Sequence, residues 1–144
     1  MPSTGTPFTD RERAYLDSQH IGRLSTTGPR GPQTRPVGFV LNADGTVDIG
    51  GIALSTTRKY RNIRERPDTE VSFLVDDLEP EGPGAIAPGW GRGVEIRGRA
   101  ETLTDVDPPI APGAFSREAI RIHPRRIIAW HLDPDAPDLQ GRDV

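Results

Sequence analysis

Residues 55–78 read STTRKYRNIRERPDTEVSFLVDDL, and the spacing of their apolar positions changes at Pro67. Before it, Tyr60 and Ile63 stand three apart, the spacing of one helix face. Ser55, Thr56 and Thr57 precede them as hydroxyl-bearing N-cap residues, and Pro67 ends the helix just after Arg66. After it, Val71, Phe73 and Val75 alternate with Glu70, Ser72 and Asp76, the two-residue period of a half-buried strand. The block is expected to fold as a short basic helix running straight into a β-strand.

Outward from this block the chain reads as strands and turns. Upstream, 20–27 and 34–42 are strand-like, the latter around Val37, Phe39 and Leu41. Asp44-Gly45 supplies a turn, and 46–51 returns with Val47 and Ile49. Phe8 to Ser18 forms a helix that Thr9 or Asp10 can cap, with Ala14, Tyr15 and Leu16 for apolar contact. Downstream, 78–90 and 105–116 are Gly- and Pro-rich loops. Residues 93–103 alternate, and 118–132 make a strand pair or one bent strand broken near Pro124. The tail from Asp133, four aspartates against Arg142, is expected to be frayed. Six or seven antiparallel strands and two helices suggest a closed or split barrel.

Composition supports this and removes several alternatives. The 144 residues make one domain, with a core over about 8–132 and polar tails. Gly (16) and Pro (15) are too frequent for a helical bundle. Without cysteine there is no disulfide scaffold, thiol nucleophile or Cys-ligated metal. His20, His123 and His131 stand too far apart for a metal-ligand motif, so no metal is expected. No apolar run approaches the roughly 20 residues of a membrane span, and Met1–Asp10 lacks the apolar stretch of a signal peptide. A cytoplasmic protein is expected. The net charge of −3 gives no electrostatic case for nucleic acid.

The charges are unevenly placed. Seventeen of the 18 basic residues are arginine, and the single lysine, Lys59, lies in 58–66, which holds five positive charges against one negative. Hydroxyls at a helix N-terminus followed by Arg58 and Lys59 suit a phosphate: free amides and the helix dipole favour an anion, Lys59 adds a point charge and Arg58 a planar fork. The bland alternative is a solvated basic helix face. No G-x-S-x-G elbow or P-loop is present. Gly89-Trp90-Gly91-Arg92-Gly93 leads into a strand and reads as turn chemistry.

The order of four blocks carries a resemblance: GRLSTTGPRGPQTRPVGFVLNADGTVDIGG (22–51), the block 55–78, VEIRGRAETLTD (94–105) and IRIHPRRIIAWHLD (120–133). Together they resemble the pyridoxamine-5′-phosphate-oxidase-like proteins, and most closely the branch that uses the deazaflavin coenzyme F420. The helix and its N-I-R-x-x-P ending are the most specific part. The resemblance implies a mainly β fold, a six-stranded antiparallel split β-barrel with short flanking helices. It also implies a homodimer with cofactors in clefts between subunits, acting on a small-molecule substrate. By similarity Thr57, Arg58 and Lys59 match the cofactor phosphate site. Gln33, Pro36 and Val37 lie on the strand lining the ring system, Ile52 and Thr56 flank the cleft, and Trp130 reaches the other subunit's cofactor. The chain departs from members that oxidise pyridoxamine phosphate, because their Arg-x-His-type motif after the last strand is missing. The implied activity is an F420H2-dependent reductase of a conjugated or quinone-like molecule. The alternatives are an FMN-binding oxidoreductase and a non-catalytic binder of F420, flavin or haem. No catalytic residue is singled out; solvent, Tyr60 and His131 are all open as proton donors.

Overall fold

The computed structural model describes residues 6–144; the start of the polar N-terminal tail lies outside the described residues. Helix α1 (Asp10–Asp17) is followed by β1 (Ile21–Gly28), β2 (Gly31–Leu41) and β3 (Val47–Ile49). A 3-10 turn (Leu54–Thr56) leads into helix α2 (Arg58–Glu65). Then come β4 (Val71–Leu78), β5 (Gly91–Thr104), β6 (Glu118–Trp130) and β7 (Gln140–Asp143). The strands form one antiparallel sheet in the order β3-β2-β1-β4-β5-β6-β7, closed by β3 on β6. Six strands therefore make a barrel and β7 is added outside the ring.

Closure depends on how β6 divides its edges. One edge runs along β5 from Gly93–Trp130 to Thr104–Glu118. The other pairs with β3 at Ile120–Ile122 and with β7 at Arg126–Ala129. Between those segments the β5–β6 ladder shifts register at Arg97/Gly98, opposite Pro124 and Arg125. A bulge tolerates the missing proline N–H, so β6 bends there without breaking. Gly98 is required at that bend, since a Cβ would lie 2.0 Å from the His123 carbonyl oxygen.

The barrel interior is filled by the alternating residues that the sequence marks out. Val71, Phe73 and Val75 are buried, as are Val37, Phe39, Val47, Ile49, Val94 and Ile96. Phe39 and Phe73 meet edge to face at 5.1 Å, the geometry their ring quadrupoles favour. From α2, Tyr60 and Ile63 enter the core together. Of the contacts expected from α1, Tyr15 and Leu16 are buried while Ala14 faces solvent. Thr9 takes the cap: its hydroxyl accepts from the Glu12 amide at 3.1 Å, and the Glu12 carboxylate accepts from the Thr9 amide at 2.9 Å. The Tyr15 hydroxyl donates to Asp77, which also holds Arg92 through two bonds of 2.8 and 3.1 Å. The Arg92 guanidinium, helped by the tyrosine, keeps the Asp77 carboxyl below the usual carboxylate range.

Two expectations are corrected. β2 begins at Gly31, three residues before the expected start, because Gly28 and Gly31 pair across a two-residue turn in which Gly31 adopts φ +103°. The C-terminal tail does not fray. It folds back as β7, and Arg142 donates to the Glu12 carboxylate at 2.6 and 2.9 Å and to the Pro7 carbonyl at 2.7 Å. The aspartate count hid this, because the anchor is the one arginine among them. Glu12 is 5% exposed, so removing its partner strands a buried charge. Arg142→Ala is expected to lower the unfolding free energy by about 2–3 kcal/mol, read as a fall in the denaturant midpoint, with Arg142→Lys recovering part of it.

Candidate functional site

Beyond Ser25 the β1–β2 hairpin has no neighbour in the sheet. β4 pairs only with Arg23–Ser25, and β3 only with Phe39–Leu41. The projecting half, Thr26 to Thr34, is covered on one face by α2, and a cleft of about 570 Å³ lies between the two. Strand alternation decides what faces it. Thr26 pairs with Gln33, Leu24 with Arg35 and Gly22 with Val37, so Gln33, Arg35 and Val37 share the inward face. Val37 is 6% exposed and belongs to the core, while Gln33 and Arg35 reach the cleft. Arg30 comes from the turn and Arg58 from the start of α2. No carboxylate lines the cleft.

α2 starts where the sequence predicts. Thr57 is its N-cap: its hydroxyl accepts from the Tyr60 amide at 3.4 Å and donates to the Leu54 carbonyl at 2.6 Å. Arg58 and Lys59 are thus the first two helical residues, whose amides have no intrahelical partner. Lys59 is half-buried. Burial first, and the neighbouring Arg35 second, hold its ammonium below the usual lysine range. Such a group gains strongly from an anion, which would relieve both effects.

The pairing of charges sets this region apart. Among the described residues, Arg92, Arg97, Arg99, Arg117, Arg121, Arg125, Arg126 and Arg142 all hold carboxylates. On the hairpin and α2, by contrast, Arg30, Arg35, Arg58, Lys59, Arg61, Arg64 and Arg66 lie outside every ion pair found there. Of the buried polar atoms without a partner, Oε1 of Gln33 and Oδ1 of Asn62 belong to residues of the cleft lining, while Nε of Arg61, an Nη of Arg66 and Oδ1 of Asp76 lie outside it. A cleft lined by unpaired cations and no carboxylate suits an anion.

The other candidate residues are dispersed. Thr56 is exposed in the 3-10 turn and its hydroxyl donates to the Ala53 carbonyl at 2.7 Å. Ile52, 71% exposed, stands just before that turn. Pro36 faces the opposite side of β2 from Gln33 and Val37. Trp130 lies outside the cleft of its own chain, in a groove of about 670 Å³ on the outer sheet face with Leu74, Ile128 and Leu139. The structure therefore groups Gln33 and Arg58 in the cleft and adds Arg30, Arg35 and Asn62, while Lys59 stands beside Arg35, outside the cleft lining. Arg35 was findable from sequence, since it stands two residues after Gln33 on one strand. Asn62 was not, because its role depends on the packing of α2 over β1. Among the described residues no helix is long and apolar enough to cross a membrane, and no group of three metal-capable side chains gathers.

Comparison with known proteins gives this geometry a family. A protein from Streptomyces rimosus subsp. rimosus, a 5a,11a-dehydrotetracycline/5a,11a-dehydrooxytetracycline reductase, is 36% identical over 141 residues, 96% of this chain and 94% of that one. General Stress Protein 26 from Bacillus anthracis str. Sterne superposes with a TM-score of 0.62 at 16% identity, over 94% of this chain and 97% of that one. An FAD binding protein from Mycobacterium smegmatis superposes with a TM-score of 0.54 at 22% identity, over 83% and 90%. The family model for pyridoxamine 5′-phosphate oxidase matches residues 8–131, the whole barrel from the cap of α1 to the end of β6, and the chain belongs to that family.

Proposed function

We propose that the protein is a reductase that holds a deazaflavin of the coenzyme F420 type in the cation-lined cleft and passes a hydride to a conjugated or quinone-like small molecule. The observation that carries this reading is the set of unpaired cations at Arg30, Arg35 and Arg58 lining a cleft without carboxylates, with Lys59 beside Arg35 at the start of α2. A ribityl phosphate fits that chemistry. When bound, the deazaflavin supplies the hydride. The residues of the chain do the rest. Lys59, Arg58 and Arg35 hold the phosphate, with the two free amides at the start of α2. Gln33 orients the neighbouring chain, and rate comes from fixing donor and acceptor in contact. Arg61, Arg64 and Arg66 continue the positive surface, which suits the acidic oligoglutamate tail of F420. The reductase relative supports reduction of a conjugated polycyclic acceptor.

FMN is the second reading, favoured by FAD-binding neighbours on the same fold and by the ribityl phosphate the two cofactors share. The reading also takes the protein as a homodimer in which Trp130 approaches the partner's cofactor. The apolar groove around Trp130, with Leu74, Ile128 and Leu139, supports it. Light scattering is expected to give twice the chain mass, and a monomer at micromolar concentration would remove that part.

Parallel fluorescence titrations are expected to show F420 binding more tightly than FMN, and reduced F420 should be consumed when a quinone or conjugated polycyclic acceptor is added. FMN binding more tightly would promote the second reading; F420 binding without turnover in a broad acceptor screen would make the protein a carrier.

Lys59→Ala should weaken cofactor binding by about 10- to 100-fold, since charge-assisted hydrogen bonds contribute about 1.5–3 kcal/mol. Lys59→Arg should restore only part, because a fork does not replace a point charge. The lowered pKa of Lys59 sets the pH dependence: binding needs the charged form, so affinity should hold at neutral pH. It should fall as pH rises through that lowered value, earlier than the ordinary lysine pKa of about 10.4. Calorimetry across that range checks this, and in Lys59→Arg the fall should vanish.

A further inference from the structure

A second hollow, of about 470 Å³, lies between α1, the end of β6 and the C-terminal segment that carries β7. It shares no residue with the cation-lined cleft. Its apolar lining comes from Ala129, Leu132, Ala136 and Trp130. Polar groups stand at its rim: Arg11 of α1 and Asp133 of the C-terminal segment lie 3.9 Å apart, and Gln140 is exposed at the start of β7. Glu12 and Arg142 also line it, but they are committed to each other, Arg142 donating to the two Glu12 oxygens at 2.6 and 2.9 Å. The hollow thus offers apolar surface and rim hydrogen bonds, with its one buried carboxylate already neutralised.

Trp130 lines this hollow and also the groove on the outer sheet face, so the two adjoin at that residue. A missing side chain seats its ring. Gly93 is its cross-strand partner, and a Cβ there would lie 2.7 Å from Trp130 Cζ2 and 2.6 Å from the Val75 carbonyl oxygen. A fixed, half-buried indole is a platform for a flat π-system. The volume falls within the roughly 300–1,000 Å³ of small-molecule pockets, whose walls are mostly apolar with a few polar groups that set orientation.

We propose that this hollow is the acceptor site. It takes a planar, conjugated, oxygen-bearing molecule, with the ring face on Trp130 and the carbonyl or hydroxyl edge at Arg11 and Gln140. This deepens the reductase reading and rests on its homodimer, in which Trp130 approaches the partner's cofactor.

The test uses the full chain carrying Trp90→Phe, so that Trp130 is its one tryptophan, with menadione, a planar naphthoquinone, as probe and no cofactor added. Menadione should quench Trp130 fluorescence saturably. Ala136→Phe, which fills the hollow, should raise the dissociation constant about tenfold, the upper worth of one aromatic contact. Leu139→Ser, which strips the groove alone, should leave it within about twofold, a difference below about 0.5 kcal/mol. With F420 bound, Ala136→Phe should raise KM for menadione while leaving kcat and F420 affinity unchanged. If Ala136→Phe fails to fold, Gln140→Phe, at an exposed strand position on the same wall, carries the same expectation. Absence of quenching, or quenching weakened by Leu139→Ser and kept in both filled variants, would overturn the assignment. The two readings fail apart. Quenching lost in the filled variants of a protein that binds neither F420 nor FMN keeps the quinone site and loses the cofactor. Menadione reduced by reduced F420 with KM unchanged in both filled variants keeps the reductase and loses the site.

Discussion

The ladder capacity of β6 governs the rest of the molecule. A strand has two edges, and β6 gives one wholly to β5 and divides the other between β3 and β7. Because β3 takes only Ile120–Ile122, and itself spans only three residues, the barrel closes through a short contact. Closure by so few residues leaves β1 and β2 longer than the ring can use. Their excess projects as a hairpin with no sheet partner, and a two-stranded ribbon is marginal unless something covers it. α2 is that cover. The cleft arises where the cover meets the hairpin turn, so a site at this position follows from barrel closure.

Charge distribution follows the same division. On the strands of the ring, arginines stand across from carboxylates in the sheet or beside it, as Arg121 does with Asp48 and Arg125 with Glu70. Such pairs relieve the cost of placing cations close together on a barrel wall. On the projecting half of the hairpin, beyond the Arg23–Asp76 pair, and on α2, no such relief is found among the described residues. The only acid within α2 is Glu65, at its last residue. A cluster of like charges destabilises the protein, and an anionic ligand of the kind proposed would offset that cost. Burial first, and the unrelieved repulsion from Arg35 second, hold the Lys59 ammonium below the usual lysine range.

The sequence made the ring legible because its signals are local. Alternation at 71–75 and 94–100, the Tyr60–Ile63 spacing, Pro67 and the Asp44-Gly45 turn each act within a few residues. Thr57 as cap and Arg58 and Lys59 in the first turn were readable for the same reason. What was missed depends on distant partners. β7 could not be seen because a tail of four aspartates looks solvated until Arg142 meets Glu12, 130 residues away in sequence. Pro124 looked like a break because a bulge needs Gly98 on the neighbouring strand to absorb it. Pro36, Val37 and Gln33 were grouped as one lining, yet strict alternation separates Pro36 from the other two and sends Val37 into the core.

The cap at Thr57 sharpens what the cleft can do. A threonine hydroxyl before two cations looks like a phosphate ligand, but here it already accepts from the Tyr60 amide and donates to the Leu54 carbonyl. Its one proton is committed to the Leu54 carbonyl, so it has none to donate to an anion. On the proposed reading, phosphate recognition falls to groups that only donate: the amides of Arg58 and Lys59, the Lys59 ammonium and the guanidinium groups of Arg30, Arg35 and Arg58. Groups that accept, the amide oxygens of Gln33 and Asn62, sit deeper against β1. The oxygens are sealed from the cleft, so its accessible face is set by the donors. On the proposed reading the anionic end of a ligand therefore lies at the start of α2, where the free amides and cations converge.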